Sequence, residues 1–151
     1  IEVAKKKDAS NPVYYVQYAH ARICSILRKA ADPADAEAAE NGGLAMDELA
    51  AKAVTADVDL SPLVHESELA LMRKMDEFPA LVALAARDRA AFRLTHYAQD
   101  LAALFHSFYT NCHVMCDDPA LRGARLALVD AARTVLALSL NLLGVSAPAK
   151  M

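Results

Sequence analysis

A repeat of apolar residues near the carboxyl end constrains the fold more than any other feature of this sequence. Asp118 can cap a helix whose first position is Pro119, where the missing amide hydrogen costs nothing. The repeat then consists of Leu121, Leu128, Val135 and Leu142, interleaved by Ala124, Ala131 and Leu138. This spacing predicts a long helix that ends at Gly144 and packs one face against other elements.

Earlier segments show helical periodicity as well. Helices are predicted over 11–31, from Pro79 towards Arg89 and over 91–112, and helix-like apolar spacing runs from Leu60 to Met75. Alanine and leucine are abundant, glycine is scarce, and no segment alternates with a period of two for long enough to predict a strand. The sequence therefore predicts an all-α helical bundle, with residues 1–151 forming a single domain.

Charge is distributed unevenly along the chain, although the net charge is only −3. Residues 1–30 carry six cations and two acids, whereas residues 31–60 carry one cation and eight acids. The six cations are Lys5, Lys6, Lys7, Arg22, Arg28 and Lys29. A local positive field can attract a polyanion even on an acidic protein, although a triple lysine near a terminus is also typical of a solvated tail.

Residues 32–59 are predicted to form an acidic, mobile loop region. Pro33, Gly42 and Gly43 interrupt this segment, which has little large apolar content.

The segment from Asn11 to Ala31 is the strongest candidate for a binding surface. At about 100° per residue, one narrow arc of its helix carries Tyr15, Tyr18, Arg22, Ser25 and Lys29. Arg28 lies away from this arc. Tyrosine faces stack on bases and guanidinium groups match phosphates, so the mixture is typical of RNA binding. Half-buried tyrosines and solvated cations are the alternative interpretation.

Catalytic and metal-binding patterns are not convincing in this sequence. It has no glycine-rich phosphate loop, nucleophile elbow or usefully spaced carboxylate pair. His20 is interpreted as a hydrogen-bonded helix histidine, and Cys112 as a buried thiol rather than a metal ligand. The sequence therefore predicts a binding module with no catalytic residue, metal or cofactor of its own.

Three cysteines and the absence of a secretory signal predict no disulfide framework and a reducing, cytoplasmic location. No apolar run approaches membrane-spanning length without an interrupting charge, so no membrane partner is expected.

Three stretches of this sequence are NPVYYVQYAHARICSILRKA, RLTHYAQDLAALFHSFYTNCHVM and ARLALVDAARTVLALSLNLLGVSAPAKM. They closely resemble the opening, the third major helix, and the closing helix and tail of the anticodon-binding domain of bacterial arginyl-tRNA synthetases, also called the DALR domain. The resemblance covers nearly the whole chain, and the acidic segment fits least.

The resemblance implies a helical bundle that follows a class I catalytic domain and holds the anticodon stem-loop of arginine tRNA. The family's ATP-binding signatures, HIGH-like and KMSK-like, do not occur here, so ATP and Mg²⁺ would serve a catalytic domain expected upstream of Ile1. This chain alone is expected not to aminoacylate. Its expected partners are arginine tRNA and the parent catalytic domain, with the chain monomeric and binding neither DNA nor membrane.

The arc on the helix over 11–31 and the resemblance to the DALR domain together predict eight tRNA-binding residues. These are Tyr15, Tyr18, Arg22, Ser25, Arg28, Lys29, Tyr97 and Met151. Arginine codons share a central guanine, so the hypothesis is that the central cytosine of the anticodon lies against a tyrosine ring. Ala149 and Lys150 replace the acid and arginine expected before the terminal methionine, which leaves the tail contact an open question.

Two other classes of function stay open at this point. A bundle that mediates protein contacts would use the leucine seam of the last helix, which is the seven-residue repeat of Leu121, Leu128, Val135 and Leu142. A small-ligand or metal bundle would need His106, Cys112 and Cys116 to converge.

Overall fold

The structure is a computed structural model that describes Asp8 and residues 10–151. Three cations of the basic segment, Lys5, Lys6 and Lys7, lie outside the described residues. Within the described part, the chain forms seven helices and no strand, which confirms the predicted all-α bundle. These are α1 (Pro12–Ala30), α2 (Pro33–Glu40), α3 (Met46–Ala53), α4 (Glu66–Asp76), α5 (Phe78–Asp88), α6 (Phe92–Asn111) and α7 (Pro119–Leu142).

Helix α6 lies at the centre of the bundle and packs against α1, α4, α5 and α7. Phe105 and Phe108 of α6 are fully buried, as are Ile23 and Leu27 of α1. Burying one such side chain contributes about 1.5–3 kcal/mol relative to leaving it in water. The apolar stripe of α1 is therefore fixed on α6, and the polar edge of α1 is left facing outward.

The start of α1 is fixed by local chemistry. The Oδ1 atom of Asn11 accepts hydrogen bonds from the backbone amides of Val13 at 3.1 Å and Tyr14 at 3.5 Å, and Pro12 occupies the first helical position. These bonds satisfy amides that have no partner within the helix. The predicted start is confirmed.

Helix α7 buries a different face from the predicted heptad seam at its carboxyl end. Leu128 is buried as predicted, but Leu138 and Leu142 are 47% and 55% exposed, and Leu136 and Leu140 are buried instead. A straight α-helix drifts by about 20° per heptad relative to a seven-residue repeat. Over three heptads this drift carries the repeat out of the core.

The prediction of a loop over residues 32–59 is wrong, because this segment contains α2 and α3. Asp32 caps α2 by accepting a hydrogen bond from the amide of Ala34 at 3.0 Å, and Pro33 occupies its first turn. The segment has few large apolar side chains because many of its residues are alanine, and alanine is the strongest helix former. Charge and proline content therefore gave a misleading signal.

Helix α3 is anchored by one apolar side chain and one buried cation. Leu49 is fully buried, and α3 packs against α1. Arg133 of α7 donates to Asp130 at 2.8 Å and pairs with Asp47 of α3 at 2.7 Å. Because Arg133 is 7% exposed, these carboxylates compensate a charge that would otherwise be costly to bury.

The end of α7 turns the chain back towards α1. Gly144 has a φ of 71°, a left-handed conformation that glycine adopts without steric cost. The amide of Val145 donates to the carbonyl of Leu140 at 2.9 Å, and the amide of Gly144 donates to Asn141 at 3.0 Å. These bonds form a Schellman motif, so residues 145–151 run back across the surface of α1.

Candidate nucleic-acid interface

A cleft of about 530 Å³ opens between α1, the chain that follows α6 and the carboxyl-terminal tail. It is lined by Tyr18, Ala21, Arg22, Ser25, Ile26, Arg28, Lys29, Tyr109, His113, Val114, Met115, Lys150 and Met151. The outward edge of α1 supplies most of its cations, and α6 supplies a second aromatic ring. Segments far apart in sequence thus meet at one concave surface.

Six of the eight predicted tRNA-binding residues line this cleft. They are Tyr18, Arg22, Ser25, Arg28, Lys29 and Met151. Tyr15 lies in an adjoining aromatic pocket, which it shares with Tyr18.

Tyr97 is the predicted site residue that the structure separates from the others. Its side chain is buried, and its hydroxyl donates to the carbonyl of Lys74 at 2.7 Å. It lies on α6 twelve residues before Tyr109, which corresponds to about 18 Å along the helix. Desolvation raises the pKa of Tyr97 well above its ordinary value, as expected for a ring that ties α6 to α4.

Arg22 is held in place by two tyrosines. Its NH1 donates to the hydroxyl of Tyr18 at 2.9 Å, and its guanidinium carbon lies 4.5 Å from the ring centroid of Tyr109. The first contact joins neighbouring turns of α1, and the second crosses from α1 to α6. A guanidinium has five donors and stays charged, so donors are left over for an anionic ligand.

The adjoining pocket, of about 510 Å³, is lined by Tyr14, Tyr15, Tyr18 and His106. The rings of Tyr14 and Tyr18 are nearly parallel, at 11° with centroids 6.4 Å apart, and Tyr18 also stacks on His106 at 6.1 Å. Tyr15 packs at 5.1 Å from His106 and is half-buried. These rings offer apolar faces of the kind on which unpaired bases stack.

His106 supports this pocket as a neutral ring. Burial lowers its pKa, and the nearby positive charge of Arg22 lowers it further. Burial also raises the pKa of Tyr15, so both rings are uncharged near neutral pH. The pocket is therefore apolar, whereas the cleft beside it is cationic.

Hydrogen bonds join the tail to α1 and, at Lys150, to α2. Gln17 donates to the carbonyl of Ser146 at 2.9 Å, and the Nδ1 of His20 lies 2.9 Å from the carbonyl oxygen of Pro148. Arg28 donates to the carbonyl of Ala149 at 3.0 Å, and Lys150 donates to the carbonyl of Glu40 at 3.4 Å. Since Ala149 contributes only its backbone, its altered side chain leaves this contact intact, and Lys150 and Met151 reach the cleft.

The electrostatics of the cleft come from the four cations Arg22, Arg28, Lys29 and Lys150. Arg28 and Lys29 lie at the end that adjoins a shallow pocket containing Glu37 and Glu40 of α2. The positive surface is thus bounded by an acidic helix on one side. A bound polyanion would be repelled from that side and directed along α1.

Sequence reasoning missed Tyr109, His106 and Tyr14 as site residues. Tyr109 and His106 lie at the margin of the apolar face of α6. Only the packing of α6 on α1 brings Tyr109 beside Arg22 and His106 beside Tyr18. Tyr14 was detectable from its position four residues before Tyr18, because residues at this spacing share a helix face.

The suggested metal ligands do not converge. Cys112 is buried and its Sγ lies 3.4 Å from the hydroxyl of Ser67, in agreement with its interpretation as a buried thiol. Among the described residues, no group of three His, Cys, Asp or Glu side chains could hold a metal ion. In the same part of the chain, no helix is both long enough and apolar enough to cross a lipid bilayer.

Fold and cleft define an all-α binding domain whose ligand-facing surface is cationic and aromatic. A model of the DALR anticodon binding domain family matches residues 16–151. The chain belongs to this family, as the sequence resemblance predicted.

Relatives of known name agree with this assignment. The arginine–tRNA ligase of Heliobacterium modesticaldum is 48% identical over 151 residues, which is 100% of this chain and 25% of that protein. The arginine–tRNA ligase of Symbiobacterium thermophilum is 47% identical over 151 residues, 24% of its length. The structure of Thermus thermophilus arginyl-tRNA synthetase matches with a TM-score of 0.70 at 33% identity, covering 91% of this chain and 21% of that one. The chain thus spans about a quarter of the length of these ligases.

Proposed function

We propose that this chain binds the anticodon stem-loop of arginine tRNA as part of an arginine–tRNA ligase. The observation that carries the proposal is the convergence of Arg22, Lys29, Tyr18 and Met151 on one cleft. Family membership and the names of the relatives support the same ligand. In the leucine repeat expected for protein contacts, Leu128 packs in the core, whereas Leu138 and Leu142 are exposed. Nothing in the described residues supports protein contacts better than RNA binding.

The cleft and the aromatic pocket hold different parts of the anticodon loop. Unstacked bases lie against the exposed ring of Tyr18, and the neighbouring phosphates pair with Arg22 and Lys29. The central cytosine has an amino donor on its pairing edge, and polar groups of the cleft and the tail read that edge. Arginine anticodons share this base, so one reading site serves every arginine tRNA.

The parent enzyme supplies the chemistry of arginylation. ATP and Mg²⁺ bind to a catalytic domain, which activates arginine and transfers it to the tRNA, and this chain contributes recognition. The parent enzyme works in the cytoplasm, and the chain acts within one monomer. Neither DNA nor a membrane is its ligand.

The test is a titration of the chain with a 17-nucleotide hairpin that carries the arginine anticodon arm, with a DNA hairpin of the same sequence as control. We expect the RNA to bind more tightly than the DNA, since the 2′-hydroxyl groups and A-form stem differ between them. The logarithm of the affinity should fall linearly with the logarithm of the salt concentration. Absence of RNA binding at low salt would refute the proposal.

A further inference from the structure

His20 lies beneath the carboxyl-terminal tail and is only 4% exposed. Its Nδ1 lies 2.9 Å from the carbonyl oxygen of Pro148. A carbonyl oxygen can only accept, so in this contact Nδ1 carries the hydrogen and donates it. The Sγ of Cys24, one helical turn further along α1, lies 3.8 Å from the same nitrogen.

The imidazole of His20 is neutral near pH 7. Burial lowers its pKa, the hydrogen bond to Pro148 opposes this effect, Arg133 of α7 lowers the pKa further, and Asp47 of α3 raises it. The charged side chains that face it therefore come from α3 and α7, while α1 contributes the Cys24 thiol. Because the neutral ring carries its one hydrogen on Nδ1 and donates it to the carbonyl of Pro148, His20 acts as a fixed hydrogen-bond donor.

Pro148 is the residue of the tail that the buried side chain of His20 contacts. Only Ala149, Lys150 and Met151 follow it, and the last two line the cleft. Three residues of extended chain span about 10 Å, so the position of Pro148 decides how far Lys150 and Met151 reach into the cleft. The bond from Gln17 to Ser146 lies earlier in the tail, and beyond Pro148 the half-buried Arg28 donates to Ala149 and Lys150 donates to Glu40. Of the side chains that make these tail contacts, His20 alone is buried.

We propose that His20 is a positioning residue that fixes the tail at Pro148, so that Lys150 and Met151 form a wall of the RNA-binding cleft. The part of this inference that concerns RNA rests on the proposed function. The part that concerns the tail does not.

The tail is tested without RNA, by the rate at which carboxypeptidase Y releases Met151. His20→Leu removes the donor, whereas His20→Asn places an amide nitrogen where Nδ1 lies. We expect His20→Leu to speed release about fivefold or more, and His20→Asn to stay within about twofold of the original chain. Leu71→Ala, which cuts a fully buried side chain in α4, controls for general loss of stability and should not speed release at a temperature where the fold persists.

The coupling to RNA is tested by a double-mutant cycle with the anticodon hairpin. His20→Leu should weaken binding about tenfold, the factor that corresponds to one net hydrogen bond. In a chain that ends at Ala149, the same substitution should change binding by less than about twofold, because its effect acts through the missing residues.

Equal weakening in the full and shortened chains would overturn the proposal, and so would an unchanged rate of Met151 release. If the original chain failed to bind the hairpin, the proposed function would fail, and the carboxypeptidase result alone would decide whether His20 positions the tail.

Discussion

The guanidinium of Arg22 lies 4.5 Å from the centroid of the Tyr109 ring, and this contact joins α1 to α6 at the floor of the cleft. A cation over an aromatic face is worth about 0.5–1 kcal/mol at an exposed site and more when water is excluded. The contact restricts the Arg22 side chain before any ligand arrives. Its donors are thereby directed into the cleft at a lower cost in conformational entropy.

Replacement of Tyr109 tests this preorganisation. Tyr109→Leu should weaken hairpin binding about two- to fivefold, since it removes the ring under Arg22 but keeps an apolar side chain. Tyr109→Phe retains the ring and is the matched control, for which we expect little change. Isothermal titration calorimetry with each variant would measure the difference, and equal affinities for the leucine and phenylalanine variants would exclude the contact's role.

Arg22→Ala should weaken binding of all hairpins to a similar degree, because a phosphate contact carries no base information. The slope of log affinity against log salt should also become less steep by about one. Binding curves at several salt concentrations would show this. Loss of discrimination between central bases, with the slope unchanged, would instead assign Arg22 to base reading.

Tyr18→Ala should cost about 1–3 kcal/mol of binding free energy through lost stacking. Tyr18→Phe keeps the ring and loses only the hydroxyl that accepts from Arg22, so its cost should be the smaller of the two. Fluorescence anisotropy with a labelled hairpin would measure both. A larger cost for phenylalanine than for alanine would contradict stacking.

The free energy of unfolding should fall as pH drops below 6.5, the ordinary pKa of His20 and His106. Burial lowers both pKa values in the folded chain, so below pH 6.5 the unfolded state binds more protons than the folded state. Stability is therefore fully present above this pH and is lost as the pH falls towards the lowered pKa values. Urea denaturation at a series of pH values would measure the trend, which should be smaller in His20→Asn.

Leu49→Ala should lower the free energy of unfolding by about 2–5 kcal/mol, because this side chain is fully buried between α3 and the bundle. Leu60→Ala, at a residue 44% exposed in the same half of the chain, is the control and should cost much less. Chemical denaturation of both variants gives the comparison. Equal small costs would mean that α3 does not pack as described.

The starts of α1 and α7 were predictable because their determinants are local. Asn11 with Pro12 and Asp118 with Pro119 specify a cap and a first turn within a few residues, and the structure places both helices there. The arc on α1 followed from helical geometry, and most of it lines one cleft.

Features that depend on packing were not predictable in the same way. The contact of Tyr109 with Arg22 requires the placement of α6 on α1, and no local pattern encodes it. Helix α3 has one large buried anchor, Leu49, which is too little for a periodic signal. The tail contacts α1 through the backbone carbonyls of Ser146, Pro148 and Ala149, and a carbonyl is a group that every residue carries.

The central claim is that the cleft between α1 and the tail holds the central base of the anticodon loop. The most direct measurement replaces the central cytosine of the arginine hairpin with 5-iodocytosine, irradiates the complex and identifies the cross-linked peptide by mass spectrometry. We expect the cross-link within residues 14–29, 106–115 or 145–151, the segments that surround the cleft and its aromatic pocket. A cross-link confined to the region of Tyr97 or to the exposed face of α7 at Leu138 would contradict the account.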